Sequence, residues 1–113
     1  MSLAKKLQIR EGQSVRLINP PAGFKLDAPA TESGTPTLLL FAKDSKSLKS
    51  LGKPVFEAAK QDRLAWIAYP KAGKLDTDLN RDKLAEMVKP LGIQPVRLIS
   101  LDDTWSAMRF RPA

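Results

Sequence analysis

Neither cysteine nor histidine occurs among the 113 residues of this chain. Without cysteine there are no disulfides, no thiolate nucleophiles and no thiolate metal sites. Without histidine the usual general base near neutral pH is missing, and so is the commonest zinc ligand. Any catalysis falls to Asp, Glu, Lys, Tyr or Ser, and any metal would be a hard ion held by carboxylates. Long apolar runs are also lacking: nothing approaches the roughly 18–20 residues of a membrane span. Met1-Ser2-Leu3-Ala4-Lys5-Lys6 leads into polar residues and not into a signal-peptide stretch. The expectation is therefore a cytoplasmic protein with no membrane partner.

What is present suits one folded unit spanning 1–113, since domains usually hold about 100–150 residues. A hydrophobic fraction of 42% beside 27% charged residues is ordinary for a globular chain and unlike that of a disordered one. The net charge is +7. Its excess lies in residues 37–75, where eight basic groups face three acidic ones. Such a balance favours polyanions in general, without selecting one.

Local patterns give an element order. The stretch 14–19 reads as a first strand, which Pro20-Pro21-Ala22-Gly23 ends because proline cannot donate to a ladder and glycine permits a turn. Residues 24–36 read as a long connection with a short strand near Phe24-Lys25-Leu26. Thr37-Leu38-Leu39-Leu40-Phe41 is a wholly apolar strand, covered on both faces. Asp44 or Ser45 then caps a helix whose Leu48, Leu51, Val55 and Ala59 share a stripe. Pro54 in a helix interior would cost on the order of 3 kcal/mol, so a break at Gly52-Lys53 is expected. A second apolar strand covers 63–69, after a separation that suits a parallel crossover. Asn80 or Asp78 caps the next helix, which Pro90 and Gly92 close. Residues 95–100 and 104–110 form strands about a turn at Asp102-Asp103, the last one antiparallel.

This order predicts an α/β fold: a reduced Rossmann-like, mostly parallel sheet flanked by helices, with a C-terminal antiparallel strand. A sheet with a reduced first half leaves an apolar face to cover, which makes a homodimer an expectation. Ligands of open α/β sheets settle beyond the carboxyl ends of parallel strands. That edge gathers the candidate anion-binding residues Lys43, Ser45, Tyr69, Lys71 and Lys74, beside two helix starts whose free N–H groups add positive potential. Capping and solvation alone also account for these residues. Asp76, Asp78, Asp82, Asp102 and Asp103 match no calcium-loop spacing, and turns and caps explain each, so no metal and no cofactor are assigned. Trp105 and Arg109 project to one side of the last strand near Trp66, as core packing with the guanidinium on the indole or on Asp103. An exposed version would stack on a nucleic-acid base.

Leu64-Ala65-Trp66-Ile67-Ala68-Tyr69-Pro70-Lys71, Thr77-Asp78-Leu79-Asn80-Arg81-Asp82 and Asp102-Asp103-Thr104-Trp105-Ser106-Ala107-Met108-Arg109-Phe110 resemble a family of short bacterial proteins of unknown function. Its members look like W-x-A-Y-P-K, T-D-L-x-R-D and D-x-T-W-S-A-x-R-F in that order. The likeness covers the second half closely and implies no activity. The strand pattern is also similar to the second half of a Rossmann-type methyltransferase, but Asn19-Pro20-Pro21-Ala22-Gly23 departs from the Gly-rich cofactor turn of such enzymes. The leading expectation is a non-catalytic binding module for a small anion or an acidic protein. The alternatives are an enzyme acting on a phosphorylated or carboxylated small molecule, and a nonspecific nucleic-acid binder, for which no reading motif is present.

Overall fold

A computed structural model describes residues 3–10, 13–26, 28, 37–71 and 74–113. Most of the connection expected over 24–36, and Ala72-Gly73 in the loop after Pro70, lie outside the described residues. The strands are β1 (Val15–Ile18), β2 (Thr37–Phe41), β3 (Ala65–Pro70), β4 (Ile93–Ser100) and β5 (Trp105–Pro112). The helices are α1 (Leu3–Lys6), α2 (Ser45–Leu51), α3 (Lys53–Lys60) and α4 (Arg81–Val88), followed by a 3-10 turn at Lys89–Leu91. All five strands join one sheet in the order β1-β2-β3-β5-β4.

The fold is α/β, with a mixed sheet flanked by helices. Wholly apolar β2 and β3 are buried along their whole length, as strands covered on both faces must be. They pair in parallel with each other, and β1 pairs in parallel with β2. The expectation of a mostly parallel sheet is corrected at the other end, where β3–β5 and β5–β4 are both antiparallel. The tight turn after Ser100 makes β4–β5 antiparallel, and β5 pairs on its other side with β3, which leaves β4 as the edge. Phe24-Lys25-Leu26 forms no strand.

Alternation along the strands sorts side chains to two faces. Leu38, Leu40, Ile67, Met108 and Phe110 pack against Leu48 of α2, Val55 and Ala59 of α3, and Leu84 and Val88 of α4. On the other face Leu39, Phe41, Trp66 and Trp105 meet Leu7 and Ile9 of the N-terminal segment, with Phe24 and Leu26 packed alongside. Both faces are thus covered. The exposure that suggested a homodimer is found instead on the edge strand, where Val96 and Leu98 are 47% and 45% exposed. Among the described residues no helix is long and apolar enough to cross a membrane.

Two helix starts follow from capping chemistry. Asp44, not Ser45, caps α2 by accepting the Ser47 N–H, and Asn80, not Asp78, caps α4 by accepting the Lys83 N–H, both at 2.8 Å. The helical run breaks at Gly52, with Pro54 in the first turn of α3. There the chain passes so closely that a methyl added at Gly52 would stand 2.6 Å from the Leu48 carbonyl oxygen and 2.5 Å from Phe56 Cζ. That oxygen is held by the Gly52 N–H at 2.8 Å, so it cannot retreat without opening the end of α2. Gly52→Ala is expected to destabilise the protein by about 1–3 kcal/mol, the usual cost of overpacking. An unchanged denaturant midpoint would contradict this close approach.

Candidate anion-binding site

The carboxyl edge of β1–β3 holds the sequence-predicted residues, and two of them, Ser45 and Lys71, donate to groups within the chain. The Ser45 backbone N–H donates to Asp78 Oδ1 at 2.8 Å, and its hydroxyl donates to Asp78 Oδ2. Lys83 Nζ joins the same carboxylate at 2.9 Å. The Ser45 hydroxyl and backbone bonds, then the Lys83 ammonium, hold the Asp78 carboxyl far below the usual carboxylate range. An internal carboxylate therefore sits where an external anion was expected. Tyr69 is 5% exposed within the apolar face, and burial pushes its phenol up. Lys71 Nζ donates to Ser100 Oγ at 2.7 Å. Lys43 and Lys74 are exposed. Asn19 gives its amide to the Phe41 carbonyl at 3.1 Å. Of the carboxylates near the terminal hairpin, Asp102 makes the turn, accepting the Thr104 and Trp105 N–H groups. Among the described residues no three acidic groups come together as a metal site.

The opposite, amino edge has a different character. A cavity of about 660 Å³ is lined by Gln8, Arg10, Gln13, Thr37, Arg63 and Arg109, with Leu64 beside them. These positions are where β2 and β3 begin, where β5 approaches its end, and where the N-terminal segment turns. None of the five carboxyl-edge candidates is among the described lining residues.

The N-terminal segment reaches this place through a specific helix ending. Gln8 N–H bonds to the Lys5 carbonyl and Ile9 N–H to the Ala4 carbonyl, the paired bonds that terminate a helix through a left-handed residue. Gln8 is that residue, at φ 63°, a position that usually takes glycine. Its side chain accepts Arg109 Nη1–H at 2.6 Å. Next to it, Trp66 Nε1–H donates to the Leu7 carbonyl at 2.9 Å, which fastens the segment to the sheet. Gln13 Oε1 accepts the Arg10 backbone N–H at 2.9 Å.

Cations crowd this edge. Arg109 lies opposite Arg97 in the β4–β5 ladder, and like charges directly across a ladder repel. Arg111, two positions on, forks onto Asp62 with bonds of 2.7 and 2.9 Å. Asp62 is thereby held below its ordinary value. Burial first, then the Arg111 cation, push Arg109 below the ordinary arginine value; Asp62 pulls the other way, and Arg97 adds the smallest push downward. Arg109 nevertheless stays charged near neutral pH, because arginine titrates so high. Its Nε is buried with no hydrogen-bond partner. The arginine–Asp103 pairing expected from the sequence is replaced by the bond to Gln8. Trp66 and Trp105 are core residues, the latter edge-on to Phe41 at 5.1 Å, so neither offers a base-stacking face.

Sequence reasoning singled out Arg109 but missed Arg10, Arg63, Gln8 and Gln13 as a group. A legible signal existed in Arg63, a cation at the mouth of an apolar strand. No pattern in the sequence announced that the N-terminal turn would lie against it.

The fold and cavity define a small α/β protein with an arginine-lined cavity at the amino edge of its sheet. Beyond that class, the chain matches no family model, no curated protein and no solved structure.

Because folding depresses the Asp78 pKa, its stabilising effect is complete above the unfolded value of 3.8 and is lost as pH falls through the folded value. Asp78→Ala is expected to lower the thermal midpoint near neutral pH, and the gap from the wild-type protein should close as pH falls below about 4. A gap of constant size down to strongly acid pH would show that Asp78 acts by packing alone.

Proposed function

We propose that the protein is a non-catalytic binding module for a small anion, with the amino-edge cavity as its site. The observation that carries this reading is the convergence of Arg10, Arg63 and Arg109 on one cavity, where the buried Arg109 Nε has no hydrogen-bond partner among the described residues. Guanidinium groups are planar, permanently charged donors suited to carboxylate and phosphate oxygens. A volume of about 660 Å³ suits a small ligand, since such sites commonly measure about 300–1,000 Å³. That favours a small anion over an acidic protein. Binding without turnover is the better reading because arginine, glutamine and threonine supply no group that exchanges protons near neutral pH.

Other features belong to the same proposal. The parallel β1-β2-β3 unit supports a reduced Rossmann-like arrangement, and the W-x-A-Y-P-K and D-x-T-W-S-A-x-R-F segments support kinship with the family of short bacterial proteins. A cytoplasmic setting suits a chain without cysteine pairs. The homodimer proposal rests on the exposed β4 edge, and a monomer mass by light scattering over a concentration series would end it.

The test is a thermal-shift titration with inorganic phosphate at fixed ionic strength. A ligand at about 100 times its Kd stabilises a fold by about 2.7 kcal/mol. The shift is expected in the wild-type protein and in Lys71→Ala, and it should vanish in Arg109→Gln. The reverse pattern would return the site to the carboxyl edge.

A further inference from the structure

We infer that the helical face carries a second site, a groove that takes the tail of a single-chain anionic amphiphile, a medium-chain carboxylate being the simplest, with Lys49 at its mouth. The site is independent of the amino-edge cavity, with which it shares no described lining residue.

The groove lies where α2 and α3 meet α4 and the 3-10 turn. It has a volume of about 280 Å³ between Leu48, Phe56, Met87 and Leu91, with Lys49 beside them. All of these residues stand inside the continuously described stretches 37–71 and 74–113. Leu48 is fully buried, whereas Phe56, Met87 and Leu91 are only partly buried against the core. Apolar surface left in water in this way gains by contact with an apolar ligand. The Phe56 wall is fixed by a missing side chain: a carbon added at Gly52 would stand 2.5 Å from Phe56 Cζ, so the ring rests against that backbone. Met87 is the adaptable member, since an unbranched thioether conforms to a flexible chain.

Charge selects the head group. Lys49 is exposed, and no described carboxylate pairs with it. A lysine lays its stem on apolar surface and keeps its ammonium in water, which puts a positive charge where the head of a seated tail would emerge. The surrounding helices reinforce it. Lys46, Lys53, Lys60 and Lys89 are exposed against Glu57 and Glu86, while Lys83 and Arg81 are engaged by Asp78 and Asp82.

Size selects the occupant. A stable protein interface takes about 20–30 residues from each side, and a docked helix needs anchors spread over about two turns. A groove lined by five described residues falls short of both. Small-molecule sites commonly measure about 300–1,000 Å³, and a volume just below that range suits one unbranched chain.

The experiment is isothermal titration calorimetry of the full chain at fixed ionic strength with hexanoate, decanoate and decyltrimethylammonium. Each further buried methylene raises affinity about fourfold, so decanoate is expected to bind at least about tenfold more tightly than hexanoate. Decyltrimethylammonium, the same tail with the opposite charge, should bind at least about tenfold less tightly than decanoate. Lys49→Gln, a change at an exposed position, should weaken decanoate about fivefold without weakening decyltrimethylammonium. Met87→Gln should weaken both, with circular dichroism matching the wild-type protein. Saturating inorganic phosphate, the probe of the amino-edge cavity, should leave decanoate binding unchanged. Equal binding of the two head groups, no gain with chain length, or competition by phosphate would overturn the groove assignment while leaving the amino-edge reading intact. A dimer that Met87→Gln abolishes, with decanoate silent, would give the groove to a second copy and overturn it too.

Discussion

An indole buried in a sheet face must give its N–H to an acceptor, and Trp66 finds one in the Leu7 carbonyl 2.9 Å away. Leaving that donor unmade would cost about 1–3 kcal/mol. The bond therefore decides where the N-terminal segment runs. Once Leu7 is fixed, Ala4 and Ile9 bury beside it, the chain leaves α1 through the left-handed Gln8, and the Gln8 side chain is delivered to Arg109. Arg10 and Gln13 follow at the same edge. The wall of the cavity is thus a consequence of satisfying one buried donor.

The two edges of the sheet solve their charges in opposite ways. At the carboxyl edge the chain supplies its own anions: Asp44 caps α2, and Asp78 holds Ser45 and Lys83. At the amino edge Arg97, Arg109 and Arg111 stand close together, and Asp62 is committed to Arg111. The left-handed Gln8 and the buried, unpartnered Arg109 Nε add local strain to that edge.

Much of the fold was legible because it depends on local chemistry. The apolar runs of β2 and β3, the Gly52-Pro54 break and the Asp102-Asp103 turn all follow from neighbouring residues. Insertion of β5 between β3 and β4 was not, since strand order is a choice among long-range pairings with similar local signals. That order also bears on the expectation of a site at the carboxyl edge. Ligands favour the carboxyl ends of strands where the strand order reverses, and β1-β2-β3 proceeds in one direction with no reversal. The five-residue set of Lys43, Ser45, Tyr69, Lys71 and Lys74 was sound as a list of residues at one edge. Asp78, read as a possible cap and as one of the carboxylates near that edge, instead accepts from Ser45 and Lys83 there.

The most direct measurement is a titration of the arginine side-chain Nε–Hε signals by nuclear magnetic resonance, with pyrophosphate as the added anion. The account predicts saturable shifts at Arg10, Arg63 and Arg109, with Arg16 and Arg81 unmoved. Shifts confined to the Ser45 and Lys71 backbone amides, with the three arginines silent, would contradict it.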